Sequence, residues 1–255
     1  MWDDNPLFEC WTALTYLAAK YPQFRVGSMV LSQSYRNPAL TAKMAATLQA
    51  LSGGRLILGL GAGWAEREYR AYHYPFPTAG IRVGQLEEAV IVIKRLWYDA
   101  GPVWYDGEYY QLEGAYCEPR PTPPPPLMIG GSGTQLLRVT AQHADWWNFT
   151  DPTLEGYAAR LGVLQRHLAA VGRSPASVRL TWMPHVALGR TADAAQAHAP
   201  HLDPATHLIG TPAQVARRIQ PFFDLGVETI MFELHGHTDP TVLKLLVNDL
   251  LPRLK

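Results

Sequence analysis

The sequence predicts an α/β protein in which parallel β-strands alternate with α-helices. Short apolar runs without alternating polar residues recur along the 255-residue chain, as expected for parallel strands that are covered on both faces. Between these runs lie longer segments whose apolar residues recur at helical spacing. Hydrophobic residues make up 47% of the chain and charged residues only 17%, which is enough to build a large core. A parallel sheet with helices packed outside it satisfies all three observations.

The first quarter of the chain contains two helices and two strands. A helix is predicted over residues 7–20, because apolar residues recur on one face, and a strand over residues 24–31. A second helix begins at Pro38, since proline is favoured in the first turn. Its buried side is predicted to consist of Leu40, Met44, Thr47, Leu48 and Leu51. The next strand covers residues 56–60.

In the middle of the chain, the sequence predicts an aromatic loop, a helix and a hairpin. Residues 64–84 form the loop or insertion region, and an amphipathic pattern places a helix over residues 85–98. A hairpin at 103–112 has residues 106–107, Asp-Gly, as its turn. A proline-rich approach then leads to the strand 127–129.

The second half repeats the alternation. The predicted elements are helix 135–143, strand 145–149, helix 154–171, strand 178–188, helix 212–224, strand 227–234 and helix 241–254. Thr211 is the predicted N-cap of the helix that follows it. Residues 191–208 carry no clear pattern. The six strands that are expected to be parallel lie near residues 24, 56, 127, 145, 179 and 228. Because no linker interrupts the chain, a single domain over residues 1–255 is predicted.

The charge balance and the two cysteines exclude several classes of function. Lys+Arg and Asp+Glu residues both number 22, and no long basic run is present, so neither nucleic acid nor a membrane surface is an expected partner. No apolar stretch reaches the roughly 20 residues of a membrane span. The acidic start does not resemble a secretory signal. Cys10 and Cys117 fit no metal spacing and are expected to be reduced thiols, which predicts a cytoplasmic location.

Two glycine clusters follow strands, and the first argues against a Rossmann turn. In RLILGLGAGW (residues 55–64), Gly59 and Gly61 match the first two glycines of a dinucleotide-binding fingerprint, but Trp64 occupies the third place. A long loop, and not a helix, follows directly. The cluster is therefore interpreted as a strand end where a ligand lies against bare backbone.

The second cluster lies between the strand 127–129 and the next helix. Its residues are Gly130, Gly131, Ser132, Gly133 and Thr134. Backbone N–H groups at a helix N-terminus, with hydroxyl side chains beside them, form a natural anion site. Because the lysine of a triphosphate-binding loop is missing, a monophosphate or phosphodiester fits better. An ordinary glycine-rich turn is the alternative.

With both turns in place, the chain resembles the luciferase-like monooxygenase superfamily, in particular its coenzyme F420-dependent oxidoreductases. The matching segments are YRNPALTAKMAATLQALSGGRLILGLGAGWAEREYRAYHYPF, LEEAVIVIKRLW, YDGEYYQL, PPPPLMIGGSGTQLLRVTAQHADWWN, GTPAQVARRI and LGVETIMF. The resemblance implies a TIM-type (β/α)8 barrel that binds F420, or alternatively FMN, at the C-terminal ends of its strands. About six strands of the eight are predicted here, so the barrel is expected to be incomplete at its N-terminus.

The resemblance also implies which residues contact the cofactor. It places a non-proline cis peptide bond between Met29 and Val30, against the ring, and Ser32 within hydrogen-bonding reach of the ring system. Ala62 and Gly63 would line the cofactor with their backbone. The second glycine cluster would hold the phosphate of the cofactor tail.

The N-terminus departs from the family pattern. Relatives usually carry a preceding strand–helix–strand whose last strand ends in Asp-His, and that histidine is often the acid/base. Residues 1–5 are interpreted as loop, although residues 2–4 can be aligned with that strand end, with Asp4 in place of the histidine. No catalytic residue is therefore assigned. An open barrel would expose unpaired strand edges, which predicts closure by distortion or by a homodimer, unless the start site is misassigned.

Nine histidines raise the question of a metal. His198, His201 and His207 lie close in sequence, and His235 and His237 follow the last strand. No spacing typical of a metal site accompanies them, so no metal is predicted. His235 or His237 contacts substrate, or both are exposed loop residues.

The loop after the first glycine cluster offers further candidates. Trp64 stands where some relatives carry a catalytic glutamate, and the nearby Glu66 and Glu68 are expected to be solvated. Either a lid over an apolar substrate or simple packing explains the aromatic residues Tyr69, Tyr72, His73, Tyr74 and Phe76.

These observations together predict an oxidoreductase. Hydride transfer between F420 and an unidentified small organic substrate is the first hypothesis. An FMN-dependent monooxygenase of the same superfamily is the second. The third is a cofactor-binding or interaction protein that has lost catalysis together with the N-terminal segment.

Overall fold

The computed structural model of the protein describes residues 7–254, and its chain divides into two compact units, Met1–Trp146 and Trp147–Lys255. Each unit contains strands with helices packed against them. The predicted loop over residues 1–5, with the alternative alignment of residues 2–4, lies outside the described residues. The single domain over residues 1–255 stays a prediction. Within residues 7–254, no helix combines the length and the apolar character that crossing a membrane requires.

The first unit is built around a central strand, β3. Its strands are β1 (Val26–Gly27), β2 (Leu31–Ser32), β3 (Leu56–Gly61), β4 (Val103–Asp106), β5 (Gln111–Ala115) and β6 (Leu127–Gly130). Its helices are α1 (Cys10–Lys20), α2 (Pro38–Leu51), α3 (Glu66–Ala71), α4 (Ala79–Tyr98) and α5 (Thr134–His143), with a short 3₁₀ turn over Gln33–Tyr35. Strands β1, β2 and β6 all pair with β3 in parallel, as their apolar character predicts.

The predicted strand 24–31 is interrupted by Ser28, which separates β1 from β2. The Ser28 hydroxyl donates to the carbonyl oxygen of Gly59 at 2.8 Å and accepts from the N–H of Gly59 at 3.1 Å. A buried side chain thus takes both backbone groups that a regular ladder would use. The prediction of a continuous strand over residues 24–31 is therefore wrong.

The buried face of α2 agrees with the prediction only in part, since Leu48 is buried as expected. Ala42, Ala45 and Ala46 are fully buried, whereas Leu40 is 53% exposed and Leu51 is 77% exposed. Helix α2 packs against α4, whose Trp97 donates from Nε1 to the carbonyl oxygen of Ala42 at 3.1 Å. Short side chains such as alanine allow two helices to approach closely. The predicted apolar side instead contributes to a groove between α1 and α2 of about 280 Å³, lined by Trp11, Thr15, Lys43, Met44, Thr47, Leu48 and Leu51.

Two further boundaries in the first unit differ from prediction. The region 64–84 contains α3, and α4 begins at Ala79 instead of residue 85. The hairpin is present, but Asp106 pairs with Gln111, so four residues and not two connect its strands. Glu88 explains the longer loop, because its carboxylate accepts hydrogen bonds from the N–H groups of residues 108, 109 and 110 at 2.8–3.1 Å.

The second unit contains two groups of strands. They are β7 (Trp146–Phe149), which begins at the boundary, β8 (Arg179–Trp182), β9 (His185–Leu188), β10 (Leu208–Gly210), β11 (Val227–Ile230) and β12 (Glu233–His235). One group has the order β7-β8-β11 and the other the parallel order β10-β9-β12. The helices are α6 (Leu154–Ala170), α7 (Ala192–His198), α8 (Pro212–Asp224) and α9 (Pro240–Lys244). All six strands that the sequence predicts as parallel are present, and the α/β fold class is confirmed.

The predicted strands 178–188 and 227–234 are each divided in two. Pro184, which has no N–H group to donate to a ladder, lies between β8 and β9. Its carbonyl oxygen accepts from the N–H of Glu233 at 3.0 Å, so β12 begins where β9 begins. The chain therefore passes from the group β7-β8-β11 to the group β10-β9-β12 twice, once between β8 and β9 and once between β11 and β12. The two crossings lie side by side.

The helices of the second unit follow local sequence signals closely. Thr211 caps α8, and Gln214 completes a capping box, which confirms the predicted N-cap. The region 191–208 contains α7 and the approach to β10. The last helix begins as predicted, but after Lys244 it widens into π-type turns and ends in a 3₁₀ turn at Arg253.

Candidate cofactor site at the glycine-rich strand ends

The candidate site lies in the first unit, where β2, β3 and β6 end side by side. Ser32 pairs with Gly61 across β2 and β3, and Leu60 pairs with Ile129 across β3 and β6. Because the three strands are parallel, Ser32, Gly61 and Gly130 lie at the same edge of the sheet. The structure therefore brings together the strand ends that the sequence identifies as ligand-binding. Their role in binding a cofactor stays a prediction.

Val30 occupies the space between the two glycine-bearing strand ends. The peptide bond between Met29 and Val30 is cis, as the family resemblance implies. A Cβ on Gly61 would lie 2.7 Å from Val30 Cγ2, and a Cβ on Gly130 would lie 3.0 Å from Val30 Cγ1. Both positions therefore need glycine to admit the valine side chain. Met29 is 38% exposed, so its side chain is accessible beside this packed contact.

Ser32 and Gly63 are both held by the fully buried Tyr69. The hydroxyl groups of Ser32 and Tyr69 share a hydrogen bond. Gly63 has a φ of 82°, and a Cβ there would lie 2.7 Å from Ser32 Oγ and would overlap the Tyr69 hydroxyl. Arg82 Nε donates to the carbonyl oxygen of Gly63 at 3.2 Å, which fixes the backbone next to Ala62. Tyr69 is thus a member of this site that the sequence identified only as part of the aromatic loop.

The aromatic loop packs on itself. The ring of Tyr35 lies 4.8 Å from the rings of both Tyr69 and Tyr74, and Phe76 contacts Tyr69 edge-on at 4.9 Å. Burial, followed by a hydrogen bond to Glu68, raises the pKa of Tyr35, so this hydroxyl stays protonated. These contacts favour the packing alternative over a separate lid.

The two glutamates of α3 differ in their surroundings. Glu66 is exposed and pairs with Arg70 at 2.7 Å, which confirms the expected solvated carboxylate. The same expectation is wrong for Glu68, because this partly buried carboxylate accepts the hydrogen bond from Tyr35. Trp64 is 74% exposed.

The second glycine cluster connects β6 to α5. Gly133 is the N-cap of this ten-residue helix, and no side chain of the described residues caps it. A Cβ on Gly133 would meet no heavy atom of residues 7–254 within 4 Å, and both Gly133 and Thr134 are exposed. Gly131 has a φ of 127°, a conformation that favours glycine. An accessible helix N-terminus with Ser132 and Thr134 beside it fits the chemistry of a phosphate.

Several histidines converge in the second unit, and the grouping differs from their sequence order. His185 Nδ1 lies 3.0 Å from His235 Nε2, and Glu233 Oε1 lies 3.3 Å from the same His185 nitrogen. The ring of His207 is 5.3 Å from that of His185, and the ring of His201 is 5.5 Å from that of His235. Sequence reasoning missed His185 because the residue opens a strand, far from the other histidines.

Two of the histidines that the sequence analysis considered, His198 and His237, lie apart from this group. His198 is 4.0 Å from Asp239, and His237 donates from Nδ1 to the carbonyl oxygen of Leu234 at 3.1 Å. Of the residues that follow the last predicted strand, only His235 therefore belongs to the histidine group.

Comparison with known proteins establishes the family. The profile of the luciferase-like monooxygenase family matches residues 1–207, and the chain belongs to that family. F420-dependent glucose-6-phosphate dehydrogenase of Kineococcus radiotolerans is 34% identical over 171 residues, which is 66% of this chain and 50% of the relative. Phthiodiolone/phenolphthiodiolone dimycocerosates ketoreductase of Mycobacterium kansasii is 34% identical over 195 residues, 73% of this chain and 51% of the relative. The chain spans about half the length of the curated relatives it matches.

Solved structures share the fold. An F420-dependent secondary alcohol dehydrogenase in complex with an F420-acetone adduct superposes with a TM-score of 0.85, covering 100% of this chain and 86% of the other, at 18% identity. The coenzyme F420-dependent tetrahydromethanopterin reductase of Methanopyrus kandleri gives 0.83, covering 97% and 88%, also at 18% identity. The monooxygenase RslO1 of Streptomyces bottropensis gives 0.78, covering 97% and 83%, at 18% identity. Together, the family profile and the curated relatives confirm the predicted resemblance to the F420-dependent branch of the luciferase-like family.

Proposed function

We propose that this protein binds coenzyme F420 at the edge formed by β2, β3 and β6 and transfers a hydride between F420 and a small alcohol or carbonyl compound. The observation that carries the proposal is the accessible, uncapped N-terminus of α5 beside three parallel strand ends. The backbone N–H groups of such a helix N-terminus can hold an anion. The names of the dehydrogenase and the ketoreductase among the curated relatives support a reaction between an alcohol and a carbonyl compound.

The residues of the chain have separate positioning roles in this proposal. When bound, F420 supplies the ring carbon that accepts or donates the hydride. The N–H groups of the first turn of α5, with the hydroxyls of Ser132 and Thr134, hold the phosphate. The backbone around Val30 and Ala62 lies against the ring. Ser32, which already shares a hydrogen bond with Tyr69, offers an oriented hydroxyl to a polar atom of the ring system.

Binding and turnover of the purified full chain test this proposal. F420 is titrated by the quenching of its own fluorescence, with FMN as the parallel ligand, and turnover is followed by F420 absorbance with a panel of alcohols and ketones. Saturable F420 binding with turnover is expected. Absence of F420 binding would overturn the proposal, and oxidation of a substrate that requires oxygen and FMN supplied in its reduced form, without F420, would establish the monooxygenase alternative. Tight F420 binding without any turnover across the panel would favour the non-catalytic alternative.

A further inference from the structure

A row of potential metal ligands crosses the three-stranded sheet β10-β9-β12 of the second unit. The register pairs Glu233 on β12 with His185 on β9. Leu208 pairs with Val186 on the neighbouring strand, so His207 immediately precedes the ladder beside His185. In a strand, residues two apart point to the same face, so His235 shares the face of Glu233. The backbone alone therefore gathers these side chains at one end of the sheet.

Two of the three distances between the ligand atoms are close to those around one metal ion. His185 Nδ1 lies 3.0 Å from His235 Nε2 and 3.3 Å from Glu233 Oε1, and the three atoms all lie within 4.8 Å of one another. Tetrahedral zinc, with bonds of about 2.0–2.1 Å, separates its ligand atoms by about 3.3–3.4 Å.

His207 lies beside this group without belonging to it. The centre of its ring is 5.3 Å from that of His185, and its Nδ1 lies 3.0 Å from Thr206 Oγ1 and 3.2 Å from the carbonyl oxygen of Asp203.

We propose that His185, Glu233 and His235 form a binding site for one divalent transition metal ion, with zinc as the ion whose preferred ligands match this set. Imidazole nitrogen and carboxylate oxygen are ordinary zinc ligands, and two histidines with one glutamate is an established ligand combination. Three protein ligands leave a coordination position for water or a small anionic ligand. Every ligand lies in the second unit, and none is among the residues of the proposed F420 site.

Zinc binding to the full chain tests the site in the absence of F420. The protein is prepared without a histidine tag, stripped with a chelator, and titrated with zinc chloride against a chromogenic competitor. One zinc per chain is expected. His185→Gln, His235→Gln and Glu233→Gln should each weaken binding by more than about tenfold, since even partners outside the ligand shell change metal affinity by about 10–100-fold.

His167→Gln provides the matched control, because His167 lies on α6 outside the group. This variant should bind zinc like the unchanged chain. If all four variants bind zinc with equal affinity, or if the unchanged chain does not bind zinc stoichiometrically, the proposed site is refuted.

A measurement on the unchanged chain covers the case in which a variant fails to fold. Histidine modification by diethyl pyrocarbonate is mapped by mass spectrometry with and without one equivalent of zinc chloride. Zinc should protect His185 and His235 but leave His167 reactive. Identical modification under both conditions would show that zinc does not bind at these residues.

Discussion

Gly133 offers a direct test of the phosphate site, because a side chain can be added there without disturbing the fold. Its φ of −61° and ψ of 142° are open to any residue, and an added Cβ meets no heavy atom of the described chain within 4 Å. Gly133→Asp places a carboxylate at the N-cap of α5, and Gly133→Asn places a neutral amide of the same shape there. Both side chains are favourable N-caps.

The two variants should separate stability from binding. Replacing glycine by a better cap adds a few tenths of a kcal/mol, so neither variant should unfold more easily than the unchanged chain. A carboxylate about 4 Å from a bound phosphate opposes it by about 1–4 kcal/mol, depending on the local dielectric, which corresponds to about 5- to 1000-fold weaker binding. Asparagine competes for the same N–H groups but carries no charge. We therefore expect F420 affinity in the order unchanged chain, Gly133→Asn, Gly133→Asp.

Fluorescence titration with F420 at low and high salt measures this order. The difference between the two variants should shrink as salt rises, since exposed charges are screened. The deazaflavin ring without its phosphate tail should bind all three proteins equally. If Gly133→Asp and Gly133→Asn bind F420 as tightly as the unchanged chain, the phosphate does not lie at α5 and the proposed orientation of the cofactor is refuted.

Gly61→Ala should destabilise the protein by about 1–3 kcal/mol, because the added methyl group presses on Val30. Urea unfolding measures this loss, with Gly133→Ala as the control. Equal unfolding midpoints for the two variants would contradict the prediction. Glu88→Gln should speed amide hydrogen exchange at residues 108–110, since the carboxylate that accepts their three N–H groups is lost; an unchanged rate would show that the hairpin loop does not depend on it. Burial of Glu9 opposes its ionisation, but hydrogen bonds from the first turn of α1 and the charge of Arg36 outweigh it and lower the pKa of Glu9 to about 2 from 4.5. A lowered pKa stabilises the fold above about pH 4.5 and loses that effect as the pH falls towards 2. Glu9→Gln should therefore lower the melting temperature slightly at neutral pH but not near pH 2. Because the group is so exposed, the loss in the free energy of unfolding should be less than about 1 kcal/mol. A difference in melting temperature that is the same at both pH values would contradict this.

Local chemistry explains which parts of the fold the sequence predicts well. The cap at Thr211 and the proline start at Pro38 depend on neighbouring residues alone, and both are found where expected. The break at Ser28 depends on Gly59, which is 31 residues away and contributes both of its backbone groups. The buried face of α2 consists largely of alanines, and two of the three leucines that hydrophobicity selects, Leu40 and Leu51, are exposed because burial depends on which neighbouring elements the helix meets.

The same distinction explains how far the glycines can be interpreted from sequence. A glycine after a strand indicates that something lies close to the backbone, but the sequence does not say whether a ligand or the protein itself lies there. At Gly61 and Gly130 the neighbour is Val30, and at Gly63 it is Tyr69, so packing within the protein already accounts for these three glycines. Gly133 differs, because the described chain leaves the space around it open. The structural argument for an external ligand therefore depends most on Gly133, and for this reason substitutions there separate a cofactor site from a glycine-rich turn.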